Sequence, residues 1–237
     1  MLKISVVKGN NNSISITANN DGHKSMATKV KAGVLYISQN GRAQLNFTPS
    51  LTNIHKEIID QEIIITTKNN IDMVSLSGFS FVKFKDNINN NFVLKAEDSS
   101  NFEANFNCES ALINLKSNAG ADISGNIKKL KVECDSSVMR IYNCNINVLD
   151  IFSKGKSRIT ASGNANTFML TISGKSRFEG LELKTLKSQL NVDNQSDVFL
   201  KVSDYLDLTA KNKSHIVCVG KPTLKQNVTP DCKIKIR

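Results

Sequence analysis

Two stretches decide how this chain is read: Leu149-Asp-Ile-Phe-Ser-Lys-Gly-Lys-Ser-Arg-Ile159 and Leu170-Thr-Ile-Ser-Gly-Lys-Ser-Arg-Phe178. Each runs through alternating apolar residues into a Gly-Lys-Ser turn and resumes with a basic and then an apolar residue. With the small residue that closes the turn as a marker, the pattern returns at Ser80, Ser100, Ala121, Ser137, Ser157, Ser176, Ser196 and Ser214. The intervals are 20, 21, 16, 20, 19, 20 and 18 residues. A period in this range marks a chain built of stacked supersecondary units.

Columns drawn from the marker carry the reading further. Two positions after it stand Val82, Phe102, Ile123, Met139, Ile159, Phe178, Val198 and Ile216, all apolar. Four after it stand Phe84, Ala104, Gly125, Ile141, Ala161, Gly180, Leu200 and Cys218, apolar or small. Six before it stand Val74, Leu94, Leu115, Ile151, Leu170, Leu190 and Leu208, with Leu130 taking that place in the Ser137 repeat. Alternation over four or five residues means strands with one buried face, because successive side chains point to opposite sides. The turns are Asp-Ser-Ser at 98–100 and 135–137, Gly-Lys-Ser at 155–157 and 174–176, Asn-Gln-Ser at 194–196 and Asn-Lys-Ser at 212–214. Such residues accept left-handed backbone or bond their own main chain.

Two strands of five residues cannot bury their apolar faces alone, whereas coils stacked about 4.8 Å apart form parallel sheets around one core. The sequence therefore predicts an all-β fold, an elongated parallel β-solenoid of the β-helix or β-roll kind. It predicts about eleven coils with a repeat of about 19 residues. A β-sandwich also uses many short strands, but its turns would come nearer every ten residues. Residues 1–70 read as less regular N-terminal coils: Ile4, Val6, Ile14 and Ile16 around Asn12, then Leu35, Ile37, Leu45 and Phe47 around Ala43. Ile63 and Ile65 supply a further strand, and an insertion near 49–62 holds a short helix. Residues 71–237 read as the regular coils of the same continuous domain, with Leu224, Val228, Ile234 and Ile236 in a last coil and closing strand.

Composition narrows the classes. The 237 residues include 31 Lys and Arg against 21 Asp and Glu, a net charge of +10, and the pI is near 9.4. No apolar run approaches the roughly eighteen residues of a transmembrane helix. The beginning, Met1-Leu-Lys-Ile-Ser-Val-Val7, reads as a strand and is too short for a secretory hydrophobic region. Two locations follow: the cell envelope or exterior if an export signal has been removed, and the cytoplasm otherwise.

Catalytic and metal chemistry find little support. The five cysteines, Cys108, Cys134, Cys144, Cys218 and Cys232, are odd in number and form no C-x-x-C pair. A Cys108–Cys144 bridge would span two coils, roughly 10 Å, beyond disulfide reach unless the turns bend together. His23, His55 and His215 are far apart, and the Gly-Gly-x-Gly-x-Asp calcium repeat is absent. β-Helix hydrolases and lyases need clustered carboxylates on one outer face. Here Asp193 and Asp197 are separated by a turn, and Asp204 and Asp207 begin the next coil. The expectation is no enzyme, no cofactor and no metal.

The stretches 149–159 and 170–178, with the ending Ser214-His-Ile-Val-Cys-Val-Gly-Lys-Pro222, resemble the head GIN-domain family of auto-transporter adhesins, over about residues 35–237. The likeness lies in the series of apolar-x-apolar, small-residue turn, x-apolar coils and in the Gly-x-Pro turn after the last of them. It implies a β-solenoid that is often an envelope protein or lipoprotein, and it brings no catalytic residues. The sequence departs from the family in its turns, which are rich in Lys and Ser rather than Gly, and residues 1–7 do not read as an export signal.

One surface feature is sharper. The residue before the marker is Lys156, Lys175 and Lys213, with Gln195 interrupting; the residue after it is Arg158, Arg177 and His215, with Asp197 interrupting. Stacking would place these in a basic ladder along one edge. Like charges 5 Å apart repel by about 1 kcal/mol even in water, so the ladder is either a solvated solubilising face or an anion site. Its partner would be an anionic glycan or cell-surface component. Nucleic acid ranks lower, because the edge lacks interleaved aromatics for base stacking. The sequence thus predicts a non-enzymatic binding or structural module. Its rivals are a bactofilin-like cytoplasmic scaffold that self-associates end to end and, last, a carbohydrate-active β-helix enzyme.

Overall fold

The computed structural model describes residues 2–17, 26–39, 43–48 and 62–237. Five strands precede the regular winding: β1 (Leu2–Lys8), β2 (Ser13–Thr17), β3 (Met26–Lys31), β4 (Val34–Gln39) and β5 (Ala43–Thr48). From β6 (Glu62–Thr67) and β7 (Met73–Leu76) the chain alternates between two faces, continuing through β8 (Ser80–Phe84) and β9 (Phe92–Ala96). Six long strands follow: β10 (Asn101–Lys116), β11 (Gly120–Asp135), β12 (Val138–Lys154), β13 (Arg158–Ile172), β14 (Arg177–Val192) and β15 (Asp197–Ala210). Each covers both faces and bends at a corner between them. β16 (His215–Val219), β17 (Thr223–Val228) and β18 (Lys233–Ile236) finish the spiral. The described residues contain no helix. The short helix expected within 49–62 falls outside them except for Glu62, which opens β6.

From β8 onward every turn pairs in parallel with the next. One inward column runs Ile4, Val82, Phe102, Ala121, Met139, Ile159, Phe178, Val198, Ile216 and Ile234, each the register partner of the next. On the opposite face Val74, Leu94, Ile113, Val132, Ile151, Leu170, Leu190 and Leu208 stack in the same way. All of these but Ile234 are buried. Each buried Val, Leu, Ile, Met or Phe among them contributes about 1.5–3 kcal/mol when removed from water. Phe168 and Phe178 stack across the core at 4.9 Å, and Phe92 lies 5.6 Å from both Phe102 and Phe106.

The alignment of one repeat needs correcting. Phe102 pairs with Ala121, not with Ile123, so the turn-closing residue of that repeat is Ala119, fully buried in the serine column. Ile113 and Val132, rather than Leu115 and Leu130, accordingly hold the inner column. The stretch Ala119-Gly-Ala121 offers two small residues two apart, and size alone does not separate turn from core.

The solenoid has about nine turns, not about eleven. The coils expected around Asn12 and Ala43 do not form: β1 joins the parallel stack, but β2, β3, β4 and β5 do not wind. β2 runs antiparallel to β6, while β3, β4, β5 and β7 form a successive antiparallel series. β1 is parallel but sits between β6 and β8, with Ile4 facing both Ile63 and Val82. Alternating hydrophobicity reports a buried face and is silent about the direction of the neighbouring strand.

Candidate binding edge

Five of the markers are buried serines whose hydroxyls donate to the carbonyl three residues earlier. The distances are 3.3 Å for Ser80 to Ser77, 2.8 Å for Ser157 to Lys154, and 2.8 Å for Ser176 to Ser173. They are 2.7 Å for Ser196 to Asp193 and 2.6 Å for Ser214 to Lys211. A buried hydroxyl without a partner would be costly, and this bond closes the turn locally. In the last three turns the two residues before the serine pass through left-handed space. φ is 73° and 65° at Gly174 and Lys175, 53° and 59° at Asn194 and Gln195, and 54° and 59° at Asn212 and Lys213. Turn amides bond upward from coil to coil, with Lys175 N donating to Asn194 O at 3.0 Å and Gln195 N to Asn212 O at 2.9 Å. Side chains at the turn tip therefore point outward in one line.

Lys156, Lys175 and Lys213 occupy that line with Gln195 between the last two, all exposed and lining an open groove with Asn194, Asn212 and Asp231. Lys156 and Lys175 form no ion pair among the described residues. Asp231 accepts from the Lys213 main chain at 3.0 Å and from Thr229 Oγ1 at 2.5 Å. The Thr229 bond, with smaller help from Lys213, holds its carboxyl below the usual range.

Arg158, Arg177, Asp197 and His215 form a second file in strict register. Its members are not equivalent. Arg158 is exposed and forms no ion pair among the described residues. Arg177 instead bonds Glu179 at 2.5 Å, approaches Asp197 at 3.6 Å, and lies 4.6 Å over the Phe199 ring. His215 stands 3.5 Å from Asp197 and edge-on to Phe199 at 5.7 Å. The sequence reading missed Phe199 as an outward aromatic on this face. Its place between the inward residues Val198 and Leu200 was the signal that could have found it.

Acids considered as catalytic candidates have other tasks. Asp193 Oδ1 accepts from Asn194 N at 2.7 Å and Asn212 Nδ2 at 2.6 Å, and Asp207 pairs with Lys225 at 2.9 Å. Among the described residues no group of three His, Cys, Asp or Glu could hold a metal ion. His23 and His55 lie outside those residues. All five cysteines are free, four of them buried, so Cys108 and Cys144 are not bridged. Burial pushes the Cys134 thiol up to about 11 and that of Cys144 to about 12. Among the described residues no helix is long and apolar enough to cross a membrane.

These features define a parallel β-solenoid whose distinguishing chemistry is displayed on its outer turns. The chain belongs to the family described as "Putative auto-transporter adhesin, head GIN domain", whose profile matches residues 1–159 and 139–222. No curated protein matches the chain. The family description is that of an adhesin, which points to a surface-binding role and to the cell envelope or exterior.

Proposed function

We propose that the protein is a non-enzymatic binding module of the cell envelope that holds an anionic glycan or other acidic surface component along its turn edge. Lys156, Arg158, Lys175 and Lys213 form the receiving surface, with Arg177 and His215 partly offset by Asp197. The observation that carries this reading is the backbone at Lys175 and Lys213. Both lysines sit in left-handed space, which costs an L side chain other than Asn or Asp about 1–2 kcal/mol. Asn or Gly would fit these turns with less strain, and a bare solubilising charge could stand on any strand. Lysines at strained tips, facing one groove, are explained by a ligand that needs them there. The net charge of +10 adds long-range attraction for the same class of partner.

The antiparallel strands at the β6 end speak against a filament built by stacking that end on another copy. They replace the parallel edge that a further coil would need.

The test is a glycan array probed at low and high salt with the native chain and a Lys156→Glu, Lys175→Glu, Lys213→Glu variant. Binding to sulfated or uronic glycans that weakens with salt and is lost in the variant is expected. Absence of any anionic ligand at low salt would defeat the reading.

A further inference from the structure

A second groove lies at the corner between the two faces, away from the lysine edge. Asn107, Asn126, Asn145 and Asn164 are register partners on four successive turns, and all are exposed. Asn145 Nδ2 donates to Asn126 Oδ1 at 3.1 Å and Asn164 Nδ2 to Asn145 Oδ1 at 2.8 Å. Two residues further along, Asn166 Nδ2 donates to Asn147 Oδ1 at 2.9 Å. The two files border an open groove of about 580 Å³. Its charged members, Glu109 and Lys128, pair with each other at 2.7 Å.

We infer that this groove binds a neutral, linear oligosaccharide lying along the solenoid axis. An amide has two N–H donors and an oxygen with two lone pairs. An amide in the middle of a file spends one of each on its neighbours, so a donor and an acceptor remain on every rung. That combination suits a hydroxyl, which donates and accepts, and offers nothing special to an anion. The rungs repeat about every 4.8 Å, close to the length of one extended hexopyranose unit, so successive sugars meet equivalent amides. Stability alone is a weak reason for six exposed asparagines here: the residue is disfavoured in strands, and a solvent-exposed amide pair contributes about 1 kcal/mol or less. In a chain of net charge +10, a groove whose charges cancel is also set apart from the rest of the surface.

This inference is independent of the lysine edge. The experiment titrates the ¹⁵N-labelled full chain with hexasaccharides of β-1,4-glucan, α-1,4-glucan, β-1,4-mannan and β-1,4-N-acetylglucosamine, following the asparagine side-chain amide resonances. At least one sugar should shift the resonances of Asn126, Asn145 and Asn164 saturably. Added salt should leave the affinity unchanged, as should the triple lysine variant. An Asn126→Thr, Asn145→Thr variant, chosen because Thr favours strands, should bind at least tenfold more weakly with an unchanged melting temperature; an Asn164→Thr, Asn166→Thr variant serves the same purpose should the first misfold. No shift with any of the four sugars overturns the inference. So does binding that survives both double variants, which would leave the amide files a purely structural role.

Discussion

Arg177 and Asp197 are register partners on successive turns and form an ion pair of 3.6 Å. The same carboxylate faces His215 at 3.5 Å on the next turn. One acid thus divides the basic edge into a compensated part and an open part. Both side chains are about 40% exposed, so the pair contributes no more than about 1 kcal/mol to stability. Asp197→Asn should leave the melting temperature nearly unchanged and delay elution from a heparin column in a salt gradient. Unchanged elution would place anion binding away from this edge.

The buried thiols give the fold an alkaline limit. Cys134 and Cys144 are raised from an ordinary 9.0 to about 11 and about 12 by burial. Between pH 9 and those values the folded chain keeps protons that the unfolded chain has lost. Stability is therefore full below pH 9 and falls as pH rises toward 11 and 12. Thermal melts at pH 8, 9 and 10 should decline, and Cys144→Ala should flatten the decline relative to its own value at pH 8. A parallel decline in both proteins would assign the limit to other groups.

Thiol labelling at pH 8 should find one fast site. Cys232 is the only one of the five that is not buried, and neutral buried thiols are poor nucleophiles. Mass spectrometry should show a single adduct on Cys232 in the folded protein and five after denaturation. Rapid labelling of Cys134 or Cys144 would contradict the packed core.

Gly163 has φ of 111°, and a Cβ there would meet the Cys144 carbonyl oxygen of the preceding turn. Gly163→Ala should destabilise by about 2–4 kcal/mol through backbone strain and displaced pairing at the corner. A melting temperature within about two degrees of the native value would show that the corner yields.

Ser176 serves two turns at once: Oγ donates to Ser173 O at 2.8 Å and accepts from Ser157 N at 3.3 Å. Ser176→Ala removes this bond from the buried Ser157 amide and from the partly buried Ser173 carbonyl, for a loss of about 1–3 kcal/mol. Denaturant unfolding should show a lowered midpoint with the slope preserved.

Most of the winding was legible because Phe178, Val198 and Ile216 recur at one offset with polar residues between them, and a period of two places alternate side chains on one buried face. The basic files at Lys175 and Arg177 were legible for the same reason, since a turn tip and the next outward residue are fixed by register. Three things were not. Ala119 and Ala121 fit turn and core equally well. Ile14 and Ile16 alternate identically whichever way the neighbouring strand runs, so the antiparallel N-terminal strands passed for coils. The compensation of Arg177 depends on rotamers of Glu179 and Asp197 that spacing does not encode. The asparagine files, by contrast, were there to be read: Asn107, Asn126, Asn145 and Asn164 stand nineteen residues apart.

The placement of β1 sets an order on assembly. From Phe92 onward each strand meets a partner about one repeat away, whereas Ile4 must find Ile63 and Val82. Closing so long a segment is entropically later work, so in a nascent chain β1 lacks its first partner until Ile63 has been made and its second until Val82 has. The spiral should therefore wind before β1 latches it, and amide exchange should find Leu2–Lys8 opening before the long central strands do.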